Sequence, residues 1–384
     1  MGPHSGSERI AGPPVASALM TSTHGSAALT TVAELEAVVG ARTPAGEYKS
    51  IPFLDEHCRA LLARSPLSFL GHVRADGTLG TSLVGGAPGH AEPTGPTELT
   101  LGSVADRSEL VHGAAAGLLS LVPGYGETLR VNGRLSLDGP VPTVQVEEAF
   151  VHCAKAIIRS KLWSAEPVGE ESWVGAELVA SGSTGGASIH GGAECLELPA
   201  VRAFLAASPF CTLASVDGDG GADVSPKGDP VGFVHVLDDG RLVVPDRPGN
   251  LRTDTLHNLM DRPELSLVAL VPGSRHVLEV SGTATVTDDE VLRAGLEVNT
   301  KVPLAAVVLR ADRVALRLDP AIDAAVLWDR DRHIEPGTLP RASQMWSDHV
   351  QLHAGLGTDD DAERLVPVDD LHEGIEQNYR DGLY

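Results

Sequence analysis

Two stretches of this chain recur after an interval of about 145 residues, which is the length of a whole domain. Residues 61–77, LLARSPLSFLGHVRADG, align without a gap with residues 204–220, FLAASPFCTLASVDGDG. Both predict a short helix, a Ser-Pro break, a strand and an Asp-Gly turn. Residues 122–133 (VPGYGETLRVNG) and 271–282 (VPGSRHVLEVSG) share a Val-Pro-Gly turn followed by an alternating strand. We therefore predict a tandem duplication of one domain.

Each copy consists of short predicted strands around one helix, a pattern typical of a small β-barrel. The fold class predicted is mainly β with flanking helices (α+β), with two tandem barrels packed as a pseudo-dimer inside one chain. An early segment, TVAELEAVVG, predicts a short helix because Thr31 and Glu34 form a capping box and Gly40 ends the pattern. The predicted boundaries are a flexible N-terminal segment with that helix at 1–50, the first barrel at 51–165, a Gly/Ser-rich linker at 166–195, the second barrel at 196–330, and a C-terminal tail at 331–384 of loops and a helix packed over the barrels.

Composition limits the partners of the chain. Its 384 residues are 42% hydrophobic, which suffices for two globular domains. Lys+Arg number 29 against 52 Asp+Glu, and the formal net charge is -23, so we predict no nucleic-acid and no membrane partner. The four cysteines are widely spaced, no metal-ligand motif occurs, and the N-terminus does not resemble a signal peptide. These features predict a cytoplasmic protein with reduced thiols and no metal site.

The second copy carries a phosphate-binding pattern that the first copy lacks. ADVSPKGDP (222–230) leads into a hairpin, and RLVVPDRPGNLRTDTLHNLM (241–260) predicts a strand, a Pro-Gly turn and a helix that begins near Asn250. Arg252 and Thr253 would lie in the first turn of that helix, where free N–H groups favour an anion, and Lys227 would add a second cation. In the first copy Val84 stands where Lys227 stands. The first copy is therefore expected to have lost its phosphate site.

The first copy in turn carries a cationic segment that the second copy lacks. Read as a helix, VHCAKAIIRSKLW (151–163) places Lys155 and Arg159 on one stripe, with His152 one turn earlier. Counting back along the second copy puts Asp319 opposite Lys155. A solvated surface helix is one interpretation of these cations. A composite site that takes phosphate ligands from one barrel and cations from the other explains both losses, and we favour it.

Together these segments resemble the flavin-binding split-barrel family related to pyridoxamine 5′-phosphate oxidase. The resemblance carries over to residues 50–165 and 195–330 and implies two FMN-binding split β-barrels with the flavin at their interface. The classical oxidase also has a late Arg/His substrate motif that this sequence lacks, so oxidation of vitamin B6 is not implied. The cofactor-contact positions that the resemblance implies are Ser225, Lys227, Gly228, Val244, Pro245, Asn250, Arg252 and Thr253, with Asp229, Asp246 and Arg247 flanking them and Lys155 and Arg159 added from the first barrel.

The function expected is that of an FMN-dependent oxidoreductase acting on a small molecule. No catalytic residue is evident, and the candidates are His152, Lys155 and Arg159. The alternative is a flavin, deazaflavin or haem-binding split barrel that catalyses nothing. We expect one FMN per chain and either a monomer with its internal pseudo-dimer or a homodimer.

Overall fold

The computed structural model describes residues 28–42, 44–102, 104, 106–168, 188–249, 252–355 and 367–384. Within them the chain forms two antiparallel β-sheets with helices packed against them, so the predicted mainly β, α+β class is confirmed. Residues 1–27 of the segment predicted to be flexible, most of the predicted linker and the acidic run at 359–361 lie outside the described residues.

The strands alternate with tight turns, as the Asp-Gly and Val-Pro-Gly patterns predict. In chain order they are β1 (Ala28–Leu29), β2 (Leu67–Val73), β3 (Leu79–Gly85), β4 (Glu92–Pro93), β5 (Glu98–Thr100), β6 (Ala115–Leu121), β7 (Thr128–Ser136), β8 (Thr143–His152), β9 (Ile189–Gly191), β10 (Phe210–Val216), β11 (Ala222–Gly228), β12 (His235–Val236), β13 (Leu242–Asp246), β14 (Glu264–Leu270), β15 (His276–Thr287) and β16 (Ala305–Leu318).

Both sheets have the same strand order. The first sheet runs β3-β2-β6-β7-β8-β5-β4 and the second runs β11-β10-β14-β15-β16-β13-β12, so each strand of one sheet has a counterpart in the other. Two short strands join the second sheet from outside its predicted boundary, since β1 pairs with β15 and β9 pairs with β16. This shared order is what a tandem repeat predicts, and the duplication itself remains a prediction. We call the two parts the first half (β2 to β8) and the second half (β10 to β16).

The α-helices lie between and around the sheets. They are α1 (Val32–Val39), α2 (Pro44–Glu47), α3 (Glu56–Leu62), α4 (Lys155–Ser160), α5 (Pro199–Ala207), α6 (Asp254–Asp261), α7 (Glu290–Ala294), α8 (Pro320–Ala325), α9 (Ala342–Gly355) and α10 (Val368–Asp381). None of the described helices is long and apolar enough to span a membrane.

The N-terminal helix forms where the capping box predicts it. The Thr31 hydroxyl accepts from the Glu34 N–H, the Glu34 carboxylate accepts from the Thr31 N–H, and Gly40 ends the helix at φ 86°. Leu35 and Val39 are buried in the core of the second half. The predicted helix is therefore packed against the protein, because two apolar residues one helical turn apart gain from burial. Residues 1–27 of the segment that was predicted to be flexible lie outside the described residues.

The described part of the C-terminal tail forms two α-helices, where one was predicted, and they cover the first half. The hydrophobic core of the first half, called the first core below, includes Met345 and Trp346 of α9 and Ile375 of α10. The Trp346 indole N–H donates to the Val151 carbonyl at 2.8 Å. These contacts make the described part of the tail a component of the first core.

A third hydrophobic cluster joins the halves. It combines residues such as Leu67 and Phe69 of the first sheet with Phe210 and Val268 of the second. Across this cluster, a strand of each half packs closely against a helix of the other half at a glycine, where there is no room for a side chain. A Cβ atom on Gly228 would come within 2.0 Å of the Ala156 carbonyl oxygen, and one on Gly85 within 2.3 Å of the Ala321 carbonyl oxygen.

The strand registers correct the alignment of the two copies by one residue. Each long hairpin has a bulge, between Asn132 and Gly133 in the first half and between Ser281 and Gly282 in the second. The connections beyond these bulges differ in length, so counting along the sequence cannot set the register, whereas the hydrogen-bonded pairs do. His152 pairs with Thr128, and at the equivalent place Arg317 pairs with Val277.

Arg317 therefore corresponds to His152, and Pro320, not Asp319, corresponds to Lys155. The ends of α4 and α8 agree with this register, since Lys161 and Val326 both adopt the left-handed conformation, with φ 51° and 48°. Arg159 then corresponds to Ala324. The second half still lacks both cations, so the composite-site interpretation survives the correction.

Candidate functional site

A cavity lies where the two halves meet. From the first half it is lined by the end of β8 and by α4, and from the second half by β11, the end of β13 and the start of α6. Among the described residues, six cationic side chains and three carboxylates line it. The chain as a whole has an excess of acidic residues, so this cationic lining is a local reversal of its charge. The cations are Arg130, Lys155, Arg159, Lys227, Arg247 and Arg252, and the carboxylates are Asp229, Asp246 and Asp254.

The cationic segment of the first half is shorter as a helix than predicted. Strand β8 continues to His152, and α4 comprises only Lys155–Ser160, so His152 reaches the cavity from a strand end. The extended pairing with β7 holds this position, because His152 is still in register with Thr128. The prediction of a helix over 151–163 is wrong at its start, but His152, Lys155 and Arg159 all line the cavity.

Lys155 and Arg159 are buried, and main-chain carbonyls surround them. The Lys155 ammonium donates to the Gly382 carbonyl at 2.7 Å, and the Arg159 guanidinium donates to the carbonyls of Leu383 and Pro248. Burial lowers the pKa of both side chains. Residues 382–384, directly after α10, thus lie against the cationic stripe of α4.

Tyr384 extends this contact into the second half. Its ring centre lies 5.7 Å from the Arg159 guanidinium carbon and 5.5 Å from that of Arg247. Burial, together with the adjacent Asp229 carboxylate, raises the pKa of the Tyr384 hydroxyl to about 12. The Arg247 guanidinium also pairs with Asp229 at 2.7 Å. The flanking positions Asp229 and Arg247 therefore form a buried ion pair beneath the C-terminal residues.

Ser225, Lys227 and Gly228 lie in the C-terminal part of strand β11. All three line the cavity. The Lys227 ammonium forms an ion pair with Asp246 at 2.8 Å. Pro245 and Asp246, at the end of β13, line the cavity as well, whereas the Val244 side chain is buried in the second core. The alternation of side chains along β13 separates Val244 from Pro245, and Asp246 is the last residue of the strand.

Arg252 and Thr253 precede the helix in which they were expected. Helix α6 begins at Asp254, and Thr253 before it adopts a left-handed conformation with φ 51°. Arg252 pairs with Glu148 at 2.7 Å and with Asp254 at 2.9 Å. Its guanidinium carbon also lies 3.8 Å from the centre of the Phe150 ring. Asn250, where the helix was predicted to begin, lies outside the described residues.

Arg130 is a cavity residue that the sequence analysis missed. It is 1% exposed and forms ion pairs with Asp223 on β11 and with Asp254 at 3.3 Å. Burial alone raises the pKa of Asp254, but Arg130 and Arg252 outweigh it and hold this pKa at about 2. A signal was present in the repeat, since the position of Arg130 in VPGYGETLRVNG is taken by Glu279 in VPGSRHVLEVSG.

His152 is the candidate catalytic residue most affected by its surroundings. Burial lowers the pKa of its imidazole well below the usual range, and Arg130 lowers it further. Nδ1 of His152 lies 3.4 Å from an Arg130 nitrogen. The imidazole is therefore neutral at physiological pH, and the positive charge of the cavity comes from its lysines and arginines.

The equivalent place on the other side of the interface is filled by ion pairs. Glu279, which corresponds to Arg130, pairs with the Arg74 guanidinium and lies 3.9 Å from Arg317. Arg317, which corresponds to His152, also pairs with Asp319. Glu279 and Asp319 are buried. Among the described residues, the acidic and basic side chains here neutralise one another, and the excess of cations that lines the first cavity has no counterpart on this side.

A comparison with known protein families finds a match in the second half of the chain. Residues 198–321 match the family model described as pyridoxamine 5′-phosphate oxidase. This range contains all seven strands of the second half, together with Lys227 and Arg252. No curated protein matches the chain.

Three solved structures are similar to parts of the chain. HupZ of Group A Streptococcus is 16% identical, with 29% of this chain and 87% of that chain covered and a TM-score of 0.26. The conserved hypothetical protein Rv2991 of Mycobacterium tuberculosis is 15% identical, with 30% and 76% covered and a TM-score of 0.19. The inhibitor of motility MotI/DgrA of Bacillus subtilis is 8% identical, with 77% and 99% covered and a TM-score of 0.16. At these TM-scores the three structures support no argument about function.

The family model covers the strand, hairpin and helix that carry the motifs quoted from the second copy, so residues 198–321 of this chain are similar to the pyridoxamine 5′-phosphate oxidase family.

Proposed function

We propose that the cavity between the halves binds one FMN and that the protein is an FMN-dependent oxidoreductase acting on a small molecule. The observation that carries the proposal is the set of cations that both halves contribute to one cavity of an acidic protein. FMN carries a phosphate dianion and a ring that becomes anionic on reduction, so it needs positive charge at two separated places. The second half supplies one place and α4 of the first half supplies the other.

The phosphate end is assigned to Lys227, Ser225 and Arg252 beside the start of α6. An ammonium, a hydroxyl and a guanidinium near a helix N-terminus are suitable donors for a phosphate. Asp246 pairs with Lys227, and Glu148 and Asp254 pair with Arg252. A phosphate dianion carries more charge than either carboxylate, so it can share these cations or displace their partners. The donor chemistry of the residues present therefore fits the phosphate of FMN.

The size of the cavity adds a requirement. Its volume is about 130 Å³, whereas ligand pockets commonly measure ~300–1,000 Å³. Gly382 and Leu383 offer carbonyl oxygens to Lys155 and Arg159, so the C-terminal residues occupy the cations assigned to the ring end. We expect these residues to move when FMN binds, which would free both cations for the flavin.

Bound FMN would supply hydride or electron transfer, and the protein would hold and orient it. Lys155 and Arg159 would place positive charge beside the ring, which favours its reduced, anionic form. The neutral His152 would offer a hydrogen bond without adding charge. No residue needs to act as a general base for a simple hydride transfer.

The test is the visible spectrum of the purified full-length protein, followed by mass spectrometry of the released cofactor and reduction with NAD(P)H. Released FMN that is reduced and then reoxidised by an acceptor supports the proposal. If FMN is released but NAD(P)H does not reduce the bound flavin, the protein would be a flavin carrier, and the proposal that it is an oxidoreductase would be overturned. A haem or deazaflavin spectrum would overturn the choice of cofactor.

A further inference from the structure

A second group of chemically active side chains lies away from the cavity, between α3 and α9. It consists of Asp55, Cys58 and His349, and the potential ligand atoms of all three lie within 4.8 Å of one another. Asp55 and Cys58 come from the start of α3, and His349 comes from the C-terminal tail. Cys58 and His349 are both 0% exposed. No spacing in the sequence predicts this group, because its members lie at opposite ends of the chain.

The two ring nitrogens of His349 indicate that the three side chains require a positively charged partner. Nδ1 lies 3.0 Å from the Lys49 carbonyl oxygen, which can only accept, so Nδ1 carries a hydrogen. Nε2 is also buried, and it lies 3.2 Å from Oδ2 of Asp55. In a neutral imidazole this nitrogen would direct a lone pair at a carboxylate. Either a second proton or a metal ion must therefore lie between these two atoms.

We propose that Asp55, Cys58 and His349 bind a zinc ion. Sulfur, imidazole nitrogen and carboxylate oxygen are the donors that Zn²⁺ combines, whereas Mg²⁺ and Ca²⁺ prefer oxygen alone. The contact from His349 Nδ1 to a backbone carbonyl is the outer hydrogen bond that orients a metal-binding histidine. Three ligands leave one tetrahedral position for water. On binding, the Cys58 thiol releases its proton to solvent and the thiolate sulfur bonds to Zn²⁺.

The position of the group gives the ion a structural role. It would connect α3 of the first half to α9, which packs against α10, and α10 leads directly to residues 382–384. A zinc ion here would therefore hold the C-terminal helices on the first half. This role is independent of the proposed binding of FMN.

Metal analysis of the full-length protein tests the proposal directly. The protein is first stripped of metal with a chelator, then incubated with Zn²⁺ and separated from unbound ions by gel filtration. We expect it to retain one zinc per chain. With Co²⁺ in place of Zn²⁺, we expect a thiolate-to-metal charge-transfer band. Cys58→Ser and His349→Gln should lose stoichiometric metal, and Cys58→Ser should also lose the band. The control variants are Cys211→Ser, a buried thiol of the second core, and His57→Gln, whose ring lies 6.1 Å from that of His349. Both should keep the metal.

Wild-type protein that takes up neither Zn²⁺ nor Co²⁺ would overturn the proposal, whatever the folding of the variants. An imidazolium of His349 paired with Asp55 would then fill the same space. A zinc content that persists in Cys58→Ser and His349→Gln would also overturn it, since the ion would be bound elsewhere.

Discussion

The surroundings of Lys155 and Arg159 distinguish these two side chains from ordinary surface cations. Both are cationic residues of an acidic protein, and both are buried at the interface of the two halves. Lys161, two positions after Arg159, is exposed. A charge that is removed from water needs a partner, and here the partners are carbonyls of residues 248 and 382–383. Burial of this kind is unusual for a solvated surface helix.

Lys155→Ala should therefore weaken FMN binding or lower the flavin reduction potential. A charge-assisted hydrogen bond contributes about 1.5–3 kcal/mol, which corresponds to roughly a tenfold or greater loss of affinity. Lys161→Ala is the matched control and should behave as the wild type. FMN titration and redox titration of both variants provide the measurement, and equal behaviour of the two would contradict the assignment of α4 to the cofactor.

Lys227→Ala should weaken FMN binding by about tenfold or more, because it removes a cation assigned to the phosphate. Arg252→Ala should do the same, and should also lower thermal stability, because Glu148 and Asp254 lose their shared partner. Arg241→Ala removes a partly exposed arginine close to β13 and is the control. FMN titrations that do not separate Lys227→Ala from Arg241→Ala would refute the phosphate assignment.

Among the secondary-structure elements, α4 and α8 matter most because each packs on the opposite half. Helix α4 lies against β11 at Gly228, and α8 lies against β3 at Gly85. Only glycine permits this distance between a strand and a helix backbone. The same approach brings Lys155 and Arg159 to the cavity beside Lys227, so packing and site geometry depend on one contact.

Gly228→Ala should destabilise the protein by about 1–3 kcal/mol, because the added Cβ would overlap the Ala156 carbonyl and force α4 away. Gly95→Ala is the control, since its Cβ would have only an ordinary contact with Glu98 at 3.7 Å. Urea unfolding of both variants measures the difference. Equal stability of the two would show that α4 can shift without cost.

Across the whole molecule, the two sides of the interface differ in charge although the sheets share one strand order. One side has an excess of cations around a cavity, and the other has Arg74, Glu279, Arg317 and Asp319 paired with one another. A second phosphate would meet buried carboxylates and Val84 in place of Lys227. The pseudo-symmetric arrangement thus predicts one functional site and not two.

We accordingly expect one FMN per chain. Quantification of released flavin against protein concentration is the measurement. Two flavins per polypeptide would disprove the inference that the side of the interface with Glu279 and Asp319 binds none. Gel filtration of the same sample shows whether the chain is a monomer or a homodimer, and either is compatible with a site built within one chain.

Stability should fall as the pH decreases through about 6.5. Burial lowers the pKa of His72, His90, His152 and His235 below the ordinary value of 6.5, so the folded protein binds fewer protons than the unfolded chain. Unfolding then takes up protons, and each such group can contribute up to about 1.4 kcal/mol per pH unit. Urea unfolding at pH 7.5 and pH 5.5 tests this. His152→Gln should lessen the difference, and a stability that rises on acidification would contradict it.

The sequence by itself determined the features that depend on near neighbours along the chain. The capping box at Thr31, the Ser-Pro breaks and the Val-Pro-Gly turns all form as predicted, because their hydrogen bonds join residues only a few positions apart. The strand pattern and family motifs likewise indicated the mainly β class and the second half. Lys155, Arg159 and Lys227 were identified because each differed in charge from its counterpart in the other copy.

Only the tertiary structure decided which distant residues meet. Arg130 with Asp223, the carbonyls of residues 382 and 383 on α4, and His349 beside Asp55 all join positions far apart in the chain. The register beyond the two bulges and the true start of α6 also needed the folded sheets. Pairing across a sheet or between helices depends on where the whole backbone places a side chain, and no local pattern in the sequence records that placement.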